Sequence, residues 1–279
     1  MILELLRIKQ WYKNLVVFLA LFFSANIFNV SMLKLSGLTF IAFCFVSSSG
    51  YIINDVMDRK KDREHLEKKR RLIASGRIGV GLALLVSLGL FIGGLIISFN
   101  VGLNVFYLAL GLFGLTLVYT LFLKKILFAD VLTISTLFVI RAVAGAFAIG
   151  VVVSVWLILC PFFLALFLAV GKRHSDLMLL GSKAELTRGV LKGYSKEFTY
   201  SLMTLSTTLL VISYAMYSFL SEYNNLILTL PFAIFVIFRF YYLITSGSEI
   251  GRSAEKIIKD KNMLIGMALW LIVTALLIY

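Results

Sequence analysis

The segment that decides the fold of this chain is an apolar run that ends in three regularly spaced aspartates. Residues 35–62 read LSGLTFIAFCFVSSSGYIINDVMDRKKD. Residues 35–53 carry no charge, and a helix of about 20 mostly apolar residues crosses the hydrocarbon core of a bilayer. The segment therefore predicts a transmembrane helix with Asp55, Asp58 and Asp62 at its exit.

The rest of the chain has the same apolar character. Of its 279 residues, 61% are hydrophobic and 15% are charged, whereas soluble domains average about 45–50% and about 25%. The single core of a soluble domain cannot bury so many hydrophobic residues, and a disordered chain is far more polar. The sequence predicts an all-α integral membrane protein with one domain over 1–279 and nine transmembrane helices. The predicted helices are 15–28, 35–53, 78–99, 103–123, 127–149, 155–170, 199–219, 226–244 and 263–279.

Positive charge is concentrated in alternate connections between these helices. The chain has 27 Lys and Arg against 14 Asp and Glu, a formal net charge of +13. Nearly all the cations fall in the amino-terminal segment, the short link at 124–125 and the connections 54–77, 171–198 and 245–262. Such a bias marks the cytoplasmic side of a membrane protein rather than a nucleic-acid site. We therefore expect a cytoplasmic-membrane protein with its amino terminus and its active site on the cytoplasmic side.

The three aspartates after residue 53 predict a metal site. On a helix, Asp55, Asp58 and Asp62 lie at i, i+3 and i+7, which is one face. Carboxylates at a membrane boundary are costly without a role, and Mg²⁺ takes oxygen ligands and bridges carboxylates to substrate phosphates. The alternative is a solvated segment that its own Lys and Arg neutralise. In the same connection, Arg70 and Arg71 would suit a polyphosphate, or reflect topology alone.

A second polar cluster opens the connection at 171. Gly171-Lys172-Arg173-His174-Ser175-Asp176 offers Asp176 as a metal or ribose ligand, and Lys172 and Arg173 as phosphate ligands. Farther along lies Arg188, another candidate cation. By position alone this cluster resembles the first, since each follows an apolar helix.

Two arginines lie inside apolar runs. Arg141 and Arg239 would each cost about 2.5–3.5 kcal/mol at the centre of a membrane helix, so each is expected to face a cavity or a partner. Asp130 shares a helix face with Arg141, three turns away. The two arginines are therefore either phosphate ligands or members of interhelical ion pairs.

Several of these motifs together carry a family resemblance. They are Lys9-Gln10-Trp11-Tyr12-Lys13-Asn14, Asn54-Asp55-x-x-Asp58-x-x-x-Asp62, Tyr119 with Lys124, Arg141-Ala142-Val143-Ala144-Gly145, Gly171-Lys172-Arg173 and Arg239 with Tyr241 and Tyr242. The chain resembles the UbiA superfamily of intramembrane prenyltransferases, and within it the branch that transfers phosphoribose to lipid phosphates. It departs from that branch at Leu66 and Leu72, where prolines are expected, and at Asp176, where Glu is expected.

The resemblance implies a UbiA-like bundle and a Mg²⁺-dependent transfer of 5-phosphoribose from phosphoribosyl diphosphate (PRPP) to a polyprenyl phosphate. Asp55, Asp58 and Asp62 would hold the metal, with Asp58 and Asp176 catalytic. The implied partners are PRPP, the polyprenyl phosphate and membrane lipids, without nucleic acid; a homo-oligomer is left open. The alternative is prenyl transfer from a polyprenyl diphosphate to an aromatic acceptor. The candidate substrate-binding residues are Lys9, Lys13, Asn14, Asn54, Arg70, Tyr119, Lys124, Asp130, Arg141, Lys172, Arg173, Arg188 and Arg239.

Overall fold

The computed structural model describes residues 2–64, 68–181, 189–223 and 225–279, and these ranges are helical without any strand. Eight helices in the described residues are long and apolar enough to cross a membrane, which agrees with the predicted all-α membrane class. They are α1 (Val30–Met57), α2 (Val80–Val101), α3 (Leu103–Leu121), α4 (Ala129–Ile149), α5 (Val155–Leu180), α6 (Lys196–Leu220), α7 (Leu230–Thr245) and α8 (Lys261–Ile278). The seventh crossing reaches its full length together with the 3₁₀ turn Leu226–Thr229 that precedes α7.

The first predicted helix, 15–28, has a different form. Here the chain makes a 3₁₀ helix over Ile8–Phe18 and a short α-helix over Leu19–Phe23. The apolar run is too short for a full α-helical crossing, and its polar neighbours bond to α1: the Trp11 indole N–H donates to the Ser48 hydroxyl at 3.0 Å. A ninth crossing therefore stays a prediction.

Helix ends follow the polar residues that flank each apolar run. Asn29 and Ser154 accept hydrogen bonds from backbone N–H groups in the first turns of α1 and α5, as N-cap side chains do. Helix α5 is ten residues longer than its prediction of 155–170, because Gly171–Leu180 continues the helix up to Gly181, whose φ is +50°. Lys172, Arg173 and Asp176 thus lie on a helix rather than in a connection.

The contacts divide the chain into two compact units. Unit 1 comprises Met1–Lys124 and Thr136–Val153, and unit 2 comprises Lys125–Ser135 and Ser154–Tyr279. Helix α4 contributes its first residues to unit 2 and the others to unit 1. The prediction of one domain over 1–279 stays a prediction, and each unit is described by itself below.

Unit 1 is built around close packing of α1 on α2 and α3. Where Gly94 of α2 meets α1, a Cβ atom would lie 2.7 Å from Val46 Cγ2 and 2.9 Å from the carbonyl oxygen of Ala42. The buried hydroxyls of Ser49 and Ser87 lie 2.9 Å apart in a hydrogen bond between the same two helices. Small residues and hydroxyl pairs are the usual means by which membrane helices approach closely.

Unit 2 packs α5, α6 and α7 around one apolar cluster, to which α8 adds Met263. Gly171 of α5 faces Ile244 of α7, and a Cβ atom at Gly171 would lie 2.5 Å from Ile244 Cδ1. The buried members of the cluster are Val131, Phe167, Ala169, Val170, Met203, Leu210, Phe240, Leu243, Ile244, Ile250 and Met263.

The close approach of α2 to α1 can be tested at two glycines of α2. Gly94→Ala places a methyl group against the backbone of α1, so we expect a loss of about 1–3 kcal/mol in the free energy of unfolding. A Cβ atom at Gly89 would have nothing within 4 Å of it, so Gly89→Ala should be neutral or stabilising, because alanine favours helices. Thermal unfolding in detergent measures both. Equal stability of the two variants would contradict this packing.

Candidate active site

The three aspartates lie where α1 ends, on backbone that stays helical beyond it. The Asp58 N–H donates to the Asn54 carbonyl at 2.9 Å, and the Asp62 N–H donates to the Asp58 carbonyl at 2.8 Å. Two helical turns therefore separate Asp55 from Asp62 and leave them on the same side. Local helix geometry alone sets the spacing of these two carboxylates.

Cations from three other segments of unit 1 contact these carboxylates. The Arg71 Nη1 atom lies 2.9 Å from Asp55 Oδ1 and 2.7 Å from Asp62 Oδ2. Arg7, in the amino-terminal segment, also pairs with Asp55. Lys124, just after α3, lies 2.7 Å and 2.8 Å from the two oxygens of Asp58. Each aspartate therefore has a basic partner. Arg71 bridges Asp55 and Asp62, whereas Asp58 pairs with Lys124 instead.

Arg71 reaches the aspartates because the residues that follow it are anchored in the apolar core. Leu72 and Ile73 are buried in a cluster with Ile52 of α1, and the Ile78 N–H donates to the Leu72 carbonyl at 3.2 Å. Leu72, which stands where the resemblance leads one to expect proline, is thus part of the apolar core. The guanidinium of Arg71 is thereby held over the end of α1.

Two of the three predicted metal ligands converge as a pair that fits Mg²⁺, and the metal role of Asp58 stays a prediction. The described residues contain no group of three or more His, Cys, Asp or Glu that could hold a metal ion. However, Asp55 and Asp62 converge on a single cationic nitrogen, that of Arg71. Mg²⁺ usually takes one or two carboxylates and completes its shell with water and substrate phosphates. The chemistry of this pair suits that ion.

Arg141 lies within unit 1 with its side chain buried and its hydrogen bonds directed to neutral groups. It donates to the Asn14 amide oxygen at 2.6 Å, the Leu137 carbonyl at 2.6 Å and the Ser47 hydroxyl at 3.2 Å. The approach of the amino-terminal segment depends on Gly145, where a Cβ atom would lie only 1.9 Å from the Val17 carbonyl oxygen. These partners thus satisfy the hydrogen bonds of Arg141 but leave its positive charge without a negative partner among them.

A second arrangement of cations lies near Tyr51 on α1. The Arg7 guanidinium carbon is 5.6 Å from the centre of the Tyr51 ring, and Lys13 Nζ is 5.8 Å from it. Contacts of this kind stabilise cations near aromatic rings. Lys13 therefore adds a basic side chain next to Arg7, which itself pairs with Asp55.

In unit 2, the predicted ligands Asp130 and Arg173 pair with each other. Arg173 Nε lies 2.9 Å from Asp130 Oδ2, and the two side chains are 1% and 0% exposed. The Tyr194 hydroxyl donates to the other oxygen of Asp130 at 2.8 Å. Burial, followed by the nearby charge of Asp130, raises the pKa of Tyr194, so this hydroxyl keeps its proton. The three groups form a buried network in which both oxygens of Asp130 are bonded and Arg173 has a structural partner.

Two further predicted residues of unit 2 are also paired. Asp176 lies 2.8 Å from Arg252 Nε, and Arg239 lies 2.8 Å from Asp260. The hydrogen bond from Arg239 lowers the pKa of Asp260. The catalytic role of Asp176 and the phosphate-binding role of Arg239 stay predictions.

The remaining predicted site residues have varied positions. Lys9 and Arg70 are exposed, whereas Lys13, Asn54, Tyr119 and Lys172 are partly exposed and Asn14 is buried. Arg188 lies outside the described residues. Sequence reasoning did not assign Arg7 a role, because nothing in the sequence indicated that the amino-terminal segment meets Asp55.

Comparison with known proteins gives one consistent result. The profile of the UbiA prenyltransferase family matches residues 14–255. The decaprenyl-phosphate phosphoribosyltransferase of Corynebacterium glutamicum is 31% identical, over 99% of this chain and 86% of that protein. The protein of that name from Mycolicibacterium smegmatis is 29% identical, over 97% and 90%. The solved structure of a UbiA homolog from Archaeoglobus fulgidus bound to DMAPP and Mg²⁺ has a TM-score of 0.77 at 23% identity, covering 99% of this chain and 98% of that one.

The apolar helices and these relatives define an integral membrane enzyme of the transferase class. The chain belongs to the UbiA prenyltransferase family. The archaeal structure shares its fold, which agrees with the predicted UbiA-like bundle.

The buried pair in unit 2 can be tested for a structural role. Arg173→Met leaves the buried Asp130 carboxylate without its guanidinium, so we expect a loss of about 3–5 kcal/mol in the free energy of unfolding. The double variant Asp130→Asn/Arg173→Met removes both charges while the amide oxygen still accepts from Tyr194, and it should recover most of that loss. Chemical denaturation in detergent measures both variants. A single variant as stable as the wild type would show that this pair does not stabilise the fold.

Proposed function

We propose that this protein transfers 5-phosphoribose from PRPP to a polyprenyl phosphate, in a Mg²⁺-dependent reaction that releases diphosphate. The observation that carries the proposal is the clustering in unit 1 of three carboxylates with Arg7, Arg71 and Lys124. A donor and an acceptor that are both phosphorylated need more cations than a prenyl transfer does. The full-length similarity to decaprenyl-phosphate phosphoribosyltransferases supports the same reaction.

The end of α1 would bind the diphosphate of the donor. Asp55 and Asp62 would hold Mg²⁺, which when bound neutralises charge on the departing diphosphate. Arg71 and Lys124 lie close enough to these carboxylates to bind the phosphate oxygens, where a guanidinium can make two parallel hydrogen bonds. Asn54, whose amide oxygen lies 3.3 Å from Lys124 Nζ, would orient that lysine.

The chemistry itself needs little from the protein beyond charge and position. The bond between C1 of the ribose and the diphosphate oxygen breaks, and its electron pair leaves with the diphosphate. An oxygen of the lipid phosphate forms the new bond to C1. A phosphate monoester has a second pKa of about 6, so this nucleophile is already anionic at neutral pH and no general base is required. Alignment of two anions is the main task of the cations.

Arg141 would bind the second phosphate group. Its guanidinium is buried among neutral acceptors, and a buried cation is most stable with an anion beside it. Asn14 and Ser47 would then hold the guanidinium in place, while Lys13 adds charge nearby. The anion would be either the lipid phosphate or the 5-phosphate of the sugar.

The reaction is proposed for the cytoplasmic face of the membrane. Unit 1 places Arg7, Arg71 and Lys124 together at the end of α1, and clusters of Lys and Arg at the ends of membrane helices mark the cytoplasmic side. Soluble PRPP would therefore reach the cations from the same side as the amino terminus.

A transfer assay tests the reaction directly. Purified protein in detergent with PRPP, a polyprenyl phosphate and Mg²⁺ should release diphosphate and form a phosphoribosylated lipid, and EDTA should stop both. If PRPP is inert while a polyprenyl diphosphate and an aromatic acceptor react, the protein is a prenyltransferase and the proposal is wrong.

The carboxylates can be tested against an acidic neighbour. Asp55→Asn and Asp62→Asn should each lower turnover by about 100-fold or more, a typical cost of removing one preorganised electrostatic group. Asp58→Asn should also lower it, because Lys124 loses its partner. Glu64→Gln makes the same chemical change at an exposed position of that segment and should leave turnover near that of the wild type. Variants as active as Glu64→Gln would remove the metal role.

A further inference from the structure

The charges at the end of α1 balance one another. Asp55 pairs with Arg7 and Arg71, Asp62 pairs with Arg71, and Asp58 pairs with Lys124. Three carboxylates thus face three cations, and the sum of their formal charges is zero. Asp62 is 4% exposed and Asp55 is 12% exposed, so these pairs are only weakly screened by solvent.

A divalent cation on its own would disturb this balance. The oxygens of Asp55 and Asp62 that could bind a metal are those that contact Arg71 Nη1. A metal between them would displace the guanidinium and leave it partly buried beside a second positive ion. Like charges in a desolvated site repel strongly. The two carboxylates also supply too few ligands for a complete magnesium shell without water or phosphate.

A diphosphate removes both obstacles. Its oxygens complete the coordination of the metal, and its negative charge gives the displaced cations new partners. Arg7 and Arg71 would then move from Asp55 and Asp62 to the phosphates, while these two carboxylates would move to the metal and Lys124 would stay beside Asp58. Each of these charged groups would have an opposite partner before and after the exchange.

The geometry points to cooperative binding of Mg²⁺ and a diphosphate, in which Arg7 and Arg71 act as exchangeable counter-ions that weaken metal binding until the diphosphate arrives. This inference rests on the proposed function for the identity of the site, and it adds an order to binding. Coupling of this kind is reciprocal, so each ligand raises the affinity of the other by the same factor. We expect a factor of about 10–100, within the usual range for linked sites.

The competing interpretation is that Arg71 is a fixed clamp for the segment after α1. Its backbone carbonyl accepts a hydrogen bond from the Ser75 N–H at 2.8 Å, and Leu72 beside it is buried. A fixed clamp would keep its charge beside the carboxylates, so it would weaken metal binding by the same factor with and without diphosphate. The change in metal affinity that diphosphate produces therefore separates the two interpretations.

The first arm of the test measures metal alone. Mn²⁺ replaces Mg²⁺, and the free ion is followed by electron paramagnetic resonance during titration of the detergent-purified protein. Wild type should bind Mn²⁺ weakly, whereas Arg71→Gln should bind it about tenfold more tightly or better, since the competing cation is gone. Arg7→Gln should shift affinity in the same direction and serves if Arg71→Gln is unstable. Lys69→Gln is the matched control, an exposed residue with the same change of charge.

The second arm measures the diphosphate. Retention of ³²P-labelled inorganic diphosphate on immobilised wild-type protein should rise about 10-fold or more when Mg²⁺ replaces EDTA, and this rise should shrink in Arg71→Gln. Tight Mn²⁺ binding by wild type alone, or retention that does not depend on Mg²⁺, would overturn the inference. Coupling without transfer from PRPP would contradict the proposed reaction only, and transfer without coupling would contradict this inference only.

Discussion

The compensation of three carboxylates by cations from distant segments is the interaction on which unit 1 depends. Helix α1 carries Asp55 in its last turn, Asp58 is its C-cap residue, and the short helix that follows carries Asp62; each carboxylate must find a positive partner at a membrane boundary. Arg7, Arg71 and Lys124 provide these partners from the amino-terminal segment, the connection after α1 and the end of α3. The pairing therefore links three separate parts of the chain to the end of one helix.

The proposed reaction would use the same charges. Arg7 and Arg71 are 22% and 29% exposed although Asp62 is buried, so these cations can exchange partners. Asp58 is 28% exposed and Lys124 is 20% exposed, so an anion from solution can reach them. Arg141 differs, since it is buried and bonded to neutral groups. One set of cations is thus balanced within the protein, while Arg141 has a charge that an added phosphate can balance.

Unit 2 also contains predicted acidic and basic ligands, but these pair with each other inside the protein. Asp130 and Arg173 are completely buried and bonded to each other, and Tyr194 satisfies the remaining oxygen of Asp130. Removal of one member of such a pair is costly, which suits a structural role better than a ligand site. Asp176 is likewise engaged, by Arg252. The charged residues near the ends of α1 and α5 are therefore alike in sequence but differ in burial and in partners.

Hydropathy was enough to predict eight of the helices, because a bilayer demands long apolar runs and little else. Charge spacing correctly indicated that Asp55 and Asp62 share a side of the chain. The sequence could not predict that Asp58 turns to Lys124 or that Arg7 reaches Asp55, since both depend on contacts between segments far apart in sequence. It also placed the end of α5 too early, because a run of charged residues looks like a loop until the partners of Arg173 and Asp176, which are Asp130 and Arg252, are known.

An exchange of ion-pair partners at the end of α1 would be visible in a structure with both ligands bound. A structure determined with Mn²⁺ and inorganic diphosphate would locate the metal by its anomalous scattering and show the position of Arg71. We expect Mn²⁺ between Asp55 and Asp62, with the Arg71 guanidinium moved onto a phosphate oxygen. Mn²⁺ bound elsewhere, or Arg71 still joining the two carboxylates beside a bound diphosphate, would contradict this expectation.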